Sequence, residues 1–177
     1  MYWITSIWPY SRLGKNIYYG SRRENKIALT FDDGPSENTS EILRVLDKYK
    51  SRGTFFVSGN KAEGNEKVLR KIIGGGSEIG NHSYNHLRLS FRNKEIIKRE
   101  ILNTDNALRK IDIKTRLFRP PYGSFGFNLM SVAKELDKKV ILWDVNPRDY
   151  VKYEIGEISS EEPYGKTIGH QKKSTTF

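Results

Sequence analysis

From residue 26 onward, short apolar runs of β type alternate with longer stretches in which apolar residues recur at helical spacing, and this alternation restricts the fold more than any other feature. Ile27 to Phe31 reads as a first strand. Ile42, Leu43, Val45, Leu46 and Tyr49 then form one helical face behind Thr39 and Ser40, the candidate caps. Thr54 to Val57 is the second strand, and Val68, Leu69, Ile72 and Ile73 mark its helix, opened by Asn65 and stopped by Gly74-Gly75-Gly76. Ser77 to Gly80 is the third strand, followed by Ile97, Ile101 and Leu108 on one face of a long helix from about Asn93 to Lys110. Arg116 to Arg119 is the fourth strand, Leu129, Val132, Ala133 and Leu136 the helix after it, and Val140 to Trp143 the fifth strand. Strands that alternate with helices across short connections lie parallel with right-handed crossovers, so the fold class is α/β, as a parallel sheet or a (β/α) barrel.

Composition removes several function classes. At 177 residues with 36% hydrophobic content the chain suits one globular domain, and no apolar run approaches the ~20 residues a membrane-spanning helix needs. The absence of cysteine excludes disulfides, thiolate metal sites and cysteine nucleophiles. A net charge of +10 permits anionic partners, but the basic pairs Arg22-Arg23, Lys138-Lys139 and Lys172-Lys173 are scattered and not interleaved with aromatics, so nucleic acid is not the expected partner. Residues 1–25 form an N-terminal arm bearing Trp3, Ile4, Ile7 and Trp8, which packs on the domain or leads into it. It lacks an early basic region, and Pro9 ends its apolar stretch, so it is not read as a secretory signal. The location expected by default is cytoplasmic, or extracellular if an export signal lies outside this chain. After Tyr150 the periodic pattern fails, which leaves a domain over 26–150 and an irregular tail over 151–177.

Polar clusters follow the strands. Asp32 and Asp33 come after the first, His82 and His86 after the third, Arg119 after the fourth, and Asp144 and Asp149 after the fifth. In a parallel α/β architecture these positions share one face, so the residues can converge. His82 and His86 are two of only three histidines, and an i, i+4 pair on a helical turn aims two imidazoles at one cation; alone, the pair is equally well read as solvated or core histidines. One aspartate completes a set of two histidines and a carboxylate that leaves positions open for water and substrate, as hydrolytic zinc sites require. Asp32-Asp33-Gly34-Pro35 also suits a plain turn, but a turn needs only one acid. Adjacent carboxylates repel, and a cation on one with Arg119 near the other relieves the repulsion, leaving one as ligand and one as general base. Arg119-Pro120-Pro121-Tyr122-Gly123 is a stiff loop that can hold a backbone N–H towards a developing oxyanion, a contribution of ~3 kcal/mol for a preorganised donor. Trp143 and Tyr150 are core or rim aromatics that, at a strand end, can line a groove for a sugar.

In this order the motifs resemble those of the polysaccharide deacetylases with a NodB homology domain, carbohydrate esterase family 4, from about Lys26 to Tyr150. Thr30-Phe31-Asp32-Asp33-Gly34-Pro35 is similar to a motif whose first Asp is the base and second a metal ligand, and His82-Ser83-Tyr84-Asn85-His86 to one that supplies two histidine ligands. The resemblance therefore implies Asp32 as base and Asp33, His82 and His86 as ligands of one divalent metal, zinc ahead of cobalt, manganese or nickel. Arg119 would orient the catalytic Asp, and the Tyr122 N–H would help to form the oxyanion hole. Asp149-Tyr150 resembles a motif whose Asp tunes a catalytic histidine and whose Trp, here Tyr150, lines the substrate groove together with Trp143. The implied fold is a distorted (β/α) barrel, and the implied activity is removal of N-acetyl groups from amino sugars of a chitin- or peptidoglycan-like glycan.

The chain departs from the family after Tyr150, where a helix and a hydrophobic strand normally lead to a fifth motif with the general acid. His170, in Thr167-Ile168-Gly169-His170, is the one histidine left for that role, without the apolar run before it or the Asp after it. The departure raises two further expectations: an incomplete barrel, and, as an alternative function, a deacetylase-like protein that binds metal or carbohydrate with weak turnover or none.

Overall fold

The computed structural model describes residues 2–4 and 27–143. Six strands form one sheet in the order β1 (Tyr2–Ile4), β2 (Leu29–Gly34), β3 (Gly53–Val57), β4 (Glu78–Asn81), β5 (Leu117–Phe118) and β6 (Lys139–Val140). All neighbours from β2 to β6 pair in parallel. The helices between them are α1 (Thr39–Lys48), α2 (Gly59–Ala62), α3 (Glu66–Gly74), α4 (Lys94–Arg109) and α5 (Phe127–Glu135). The result is an α/β fold whose parallel sheet matches a distorted, incomplete (β/α) barrel. Among the described residues no helix is long and apolar enough to cross a membrane.

The alternation of side chains along each strand sorts the sheet into two faces. Phe31, Phe55, Val57 and Ile79 point outward into a core with Leu46, Leu69, Ile72 and Leu108 from α1, α3 and α4. Phe118 and Val140 do the same in a second core with Ile97 and Ile101 of α4 and Leu129, Val132 and Ala133 of α5. The opposite face carries Thr30, Asp32, Phe56 and Arg119, all buried, so the interior of the barrel is where the charged groups meet.

Several local features differ from the sequence reading, among them the short helix α2 and a fourth strand regular only over Leu117–Phe118. Tyr2–Ile4, within the N-terminal arm, is a strand that the sequence pattern does not announce, and it pairs antiparallel with β2, Tyr2 opposite Phe31 and Ile4 opposite Leu29. Thr39 opens α1 rather than capping it: Asn38 holds the cap position, and the Thr39 hydroxyl accepts from the Ser36 N–H at 2.8 Å. The fifth strand is regular only over Lys139–Val140, although the Ile141 N–H still donates to the Phe118 carbonyl at 2.8 Å.

Lys138 joins the sheet to α4 from below. Its ammonium lies 2.7 Å from Asp105 Oδ1 and 2.7 Å from the Thr115 carbonyl, with both charged side chains buried. Removing one partner strands the other charge away from water. Lys138→Ala is therefore expected to lower the unfolding free energy by about 3–5 kcal/mol in urea denaturation. A loss under 1 kcal/mol would mean that water reaches Asp105.

Candidate active site

The end of β2 is irregular, and the irregularity aims the two aspartates. Phe31 faces Phe55 and Gly34 faces Val57, so β2 fits one more residue than β3 into the same interval. This is a β-bulge, and Asp33 sits in it with a left-handed φ of 64°. A regular strand would send consecutive side chains to opposite faces. Here Asp32 turns inward to Arg119 while Asp33 reaches the histidines, so both belong to one site. The aspartates lie within β2 rather than after it, because the bulge lets the strand continue to Gly34.

His82 and His86 do not sit on a helical turn. Residues 82–86 form a loop after β4, with left-handed φ at Ser83 (64°) and His86 (56°). Sequence spacing put the two imidazoles together for a helical reason, whereas the loop achieves it by two backbone reversals. His82 Nε2 lies 3.5 Å and His86 Nε2 2.9 Å from Asp33 Oδ1, and one ligand atom from each of the three residues falls within 4.8 Å of the others. His82 Nδ1 is 2.7 Å from the Arg119 carbonyl oxygen, which can only accept, so Nδ1 carries the proton and Nε2 keeps its lone pair. Burial pushes the His82 imidazole below its ordinary value, against the opposing pull of Asp32 and Asp33. A neutral ring with a fixed tautomer is the form that ligates a metal.

Asp33 is held below the usual carboxylate range: burial pushes it up, but the hydrogen bond from His86 and the charges of His82, His86 and Lys61 outweigh that. Two imidazole nitrogens and an ionised carboxylate suit a divalent cation, and these residues fit one. Ser83, between the ligands, has the buried side-chain oxygen that is left without a partner among the described residues.

Arg119 organises the neighbouring carboxylate. The guanidinium is fully buried and donates to Thr30 Oγ1 and Asp32 Oδ1, both at 2.8 Å, and to the carbonyls of Ile141 (3.2 Å) and Leu142 (3.1 Å). It also lies 4.1 Å over the Phe56 ring, a cation–π contact. That ring needs Gly80 opposite it, where a Cβ would stand 2.4 Å from Phe56 Cδ1. Side chains of β2 and β3 and two carbonyls just after β6 thus fix one arginine, and the arginine fixes Asp32. Burial pushes the Asp32 carboxyl above its ordinary value, despite the opposing charges of His82 and Arg119.

The loop after β5 contains a single 3₁₀ turn, Pro121–Gly123, in which Tyr122 takes a left-handed φ of 59°. Such a backbone costs a non-glycine residue roughly 1–3 kcal/mol and persists where surrounding structure imposes it. The following N–H groups, of Gly123 and Ser124, turn back to the carbonyls of Pro120 and Pro121. The Tyr122 ring lies 4.7 Å from the His86 ring and 4.6 Å under the Arg88 guanidinium, at the exposed mouth of the site. Trp143 reaches the same loop: a Cβ on Gly123 would meet its ring at 2.7 Å, and Arg119 lies 6.0 Å from it.

The structure therefore brings together Asp32, Asp33, His82, His86, Arg119, Tyr122 and Trp143. Asp149, Tyr150 and His170 lie outside the described residues. Sequence reasoning missed Thr30, Asn81, Glu100 and Lys61, whose ammonium donates to the Asp33 carbonyl at 2.9 Å. A signal for Glu100 existed: Glu100, Thr104 and Asp105 fall on the stripe of α4 that carries Ile97, Ile101 and Leu108, and all six are buried.

Comparison with known proteins bears on this arrangement. A family model described as polysaccharide deacetylase matches residues 19–141. The chain is 36% identical over 148 residues, 80% of its length, to the peptidoglycan-N-acetylmuramic acid deacetylase PdaC of Bacillus subtilis (strain 168). It spans 31% of that relative's length, and less than two thirds of the length of three further relatives. Among solved structures, it resembles a family 4 carbohydrate esterase from Streptomyces lividans in complex with acetate, with a TM-score of 0.66 and 34% identity over 68% of this chain and 64% of that one. It also resembles a wild-type CE4 family pseudoenzyme from Bacillus anthracis, with a TM-score of 0.65 and 28% identity over 68% of this chain and 44% of that one.

Proposed function

The chain belongs to the polysaccharide deacetylase family, and on that premise we propose that it hydrolyses the N-acetyl groups of amino sugars in a glycan of the peptidoglycan or chitin kind, with zinc as its metal. The observation that carries this reading is the convergence of the Asp33–His82–His86 triad with the buried Asp32–Arg119 pair at one end of the parallel sheet. A divalent cation held by the triad supplies Lewis acidity towards an acyl oxygen and makes a water more acidic.

The chain's own groups would do the rest. Asp32, held in place by Arg119, takes the proton from the attacking water. The water oxygen bonds to the acetyl carbon, and the Tyr122 N–H donates to the oxygen on which negative charge develops. The C–N bond then breaks, acetate is released, and the amine leaves with a proton. His170 is the candidate for delivering it, with Asp149 as the group that would tune a catalytic histidine. Tyr122, Trp143 and Tyr150 would line the sugar groove.

A second reading, binding of metal or carbohydrate with little turnover, is favoured by the likeness to the Bacillus anthracis pseudoenzyme. Acetate release from N-acetylglucosamine oligomers and from purified peptidoglycan, with and without added zinc, separates the two. Metal-dependent acetate release is the expected result. Stoichiometric metal with no acetate from any substrate would establish the second reading.

A further inference from the structure

Between the two histidine ligands the main chain runs through Ser83, Tyr84 and Asn85 outside any helix or strand. Each of the three N–H groups is nevertheless taken by a side-chain oxygen. The Ser83 N–H donates to Asn81 Oδ1 at 2.9 Å, and the N–H groups of Tyr84 and Asn85 donate to Glu100 Oε2 at 3.1 and 2.7 Å. Glu100 Oε1 accepts the Asn85 side-chain amide at 2.8 Å. On the other side of the loop, the carbonyls of Ser83 and Tyr84 accept the N–H groups of Gly59 and Asn60, in the first turn of α2. A Cβ on Gly59 would lie 2.4 Å from Tyr84 and 2.9 Å from the Thr104 backbone, so α2, the loop and α4 are pressed together.

Asn81 is itself fixed from α4. Its amide nitrogen donates to the Ile101 carbonyl and to Asp105 Oδ1, both at 2.9 Å, and Asp105 is neutralised by Lys138. Glu100 differs from Asp105 in one respect. It is 2% exposed, and among the described residues no Lys or Arg pairs with it. A buried carboxylate without a cation beside it is costly even when hydrogen-bonded. What holds Glu100 among the described residues is the loop itself, through the N–H groups of Tyr84 and Asn85 and the Asn85 side-chain amide.

We propose that Glu100 is a positioning residue for the metal site: its carboxylate pre-shapes the loop so that His82 and His86 already converge before a cation arrives, with Asp105 acting through Asn81 as a second anchor. This inference rests on the reading of Asp33, His82 and His86 as ligands. Groups that orient ligands without touching the metal typically contribute 10–100-fold to its affinity.

The test is titration of the metal-free protein with Zn²⁺ by calorimetry, and with Co²⁺ by visible absorption, which reports coordination geometry. Glu100→Ala is expected to bind Zn²⁺ about 10–100-fold more weakly and to show an altered Co²⁺ spectrum. Glu100→Gln can still accept both backbone N–H groups, with the Asn85 amide flipped to meet its NH₂, and is expected to recover most of the loss. Ile72→Ala, a destabilised control in the core under α3, is expected to bind like the wild type. Should Glu100→Ala fail to fold, Glu100→Asp withdraws the carboxylate by one methylene and gives the same reading. Wild-type affinity in Glu100→Ala, or equal weakening in Ile72→Ala, would overturn the proposal alone. A wild-type protein that takes up no cation would overturn the metal-site reading and this inference with it.

Discussion

His86→Ala is expected to fold and to lose stoichiometric divalent metal, measured on the purified protein by elemental analysis. The residue contributes a ring nitrogen 2.9 Å from Asp33 Oδ1 and is partly exposed, so its removal deletes a ligand without emptying a core. The loss of affinity should exceed the 10–100-fold typical of groups that only orient a ligand. His82→Ala should lose the metal too, but with lower stability, because its ring is buried and hydrogen-bonded to the Arg119 carbonyl. The thermal midpoints of the two variants separate these effects. Unchanged metal content in both would remove the histidines from the ligand set.

Asp32→Asn is expected to keep the metal and the fold while its rate of acetate release falls by about 100- to 10,000-fold, the range for a lost general base. The amide cannot take a proton from water, yet it preserves the shape of the side chain and an oxygen for Arg119. Arg119 also keeps Thr30 and the carbonyls of Ile141 and Leu142 as acceptors, which limits the damage to stability. Metal content and acetate release measured on the same sample decide the role. Parallel loss of both would make Asp32 a ligand rather than a base.

Much of this site is legible as residue types at strand ends. Two aspartates, two histidines and an arginine in a chain of alternating strands and helices already imply one face where they meet, because parallel strands all end on the same side. What spacing misreads is how they meet. The i, i+4 interval between His82 and His86 suggests a helical turn, but the segment folds as a loop because side chains of β4 and α4 satisfy its N–H groups. Local pattern marks Glu100, Thr104 and Asp105 as polar residues on an otherwise apolar stripe of α4, but nothing in it pairs Glu100 with a loop some fifteen residues away.

The sequence by itself determined the fold class, the alternation of strands and helices and the placing of two aspartates, two histidines and an arginine at strand ends, for a physical reason: hydrophobic periodicity and residue chemistry are properties of neighbouring positions, whereas Asp33 as the ligand rests on the resemblance to the family's motifs. The tertiary structure alone decided the bulge that turns Asp32 and Asp33 into one site, the left-handed backbone at Asp33, His86 and Tyr122, and the burial of Arg119. Each depends on contacts between residues far apart in the chain. Asp33, His86 and Tyr122 would avoid their backbone conformations in isolation and adopt them only where surrounding packing outweighs the local cost.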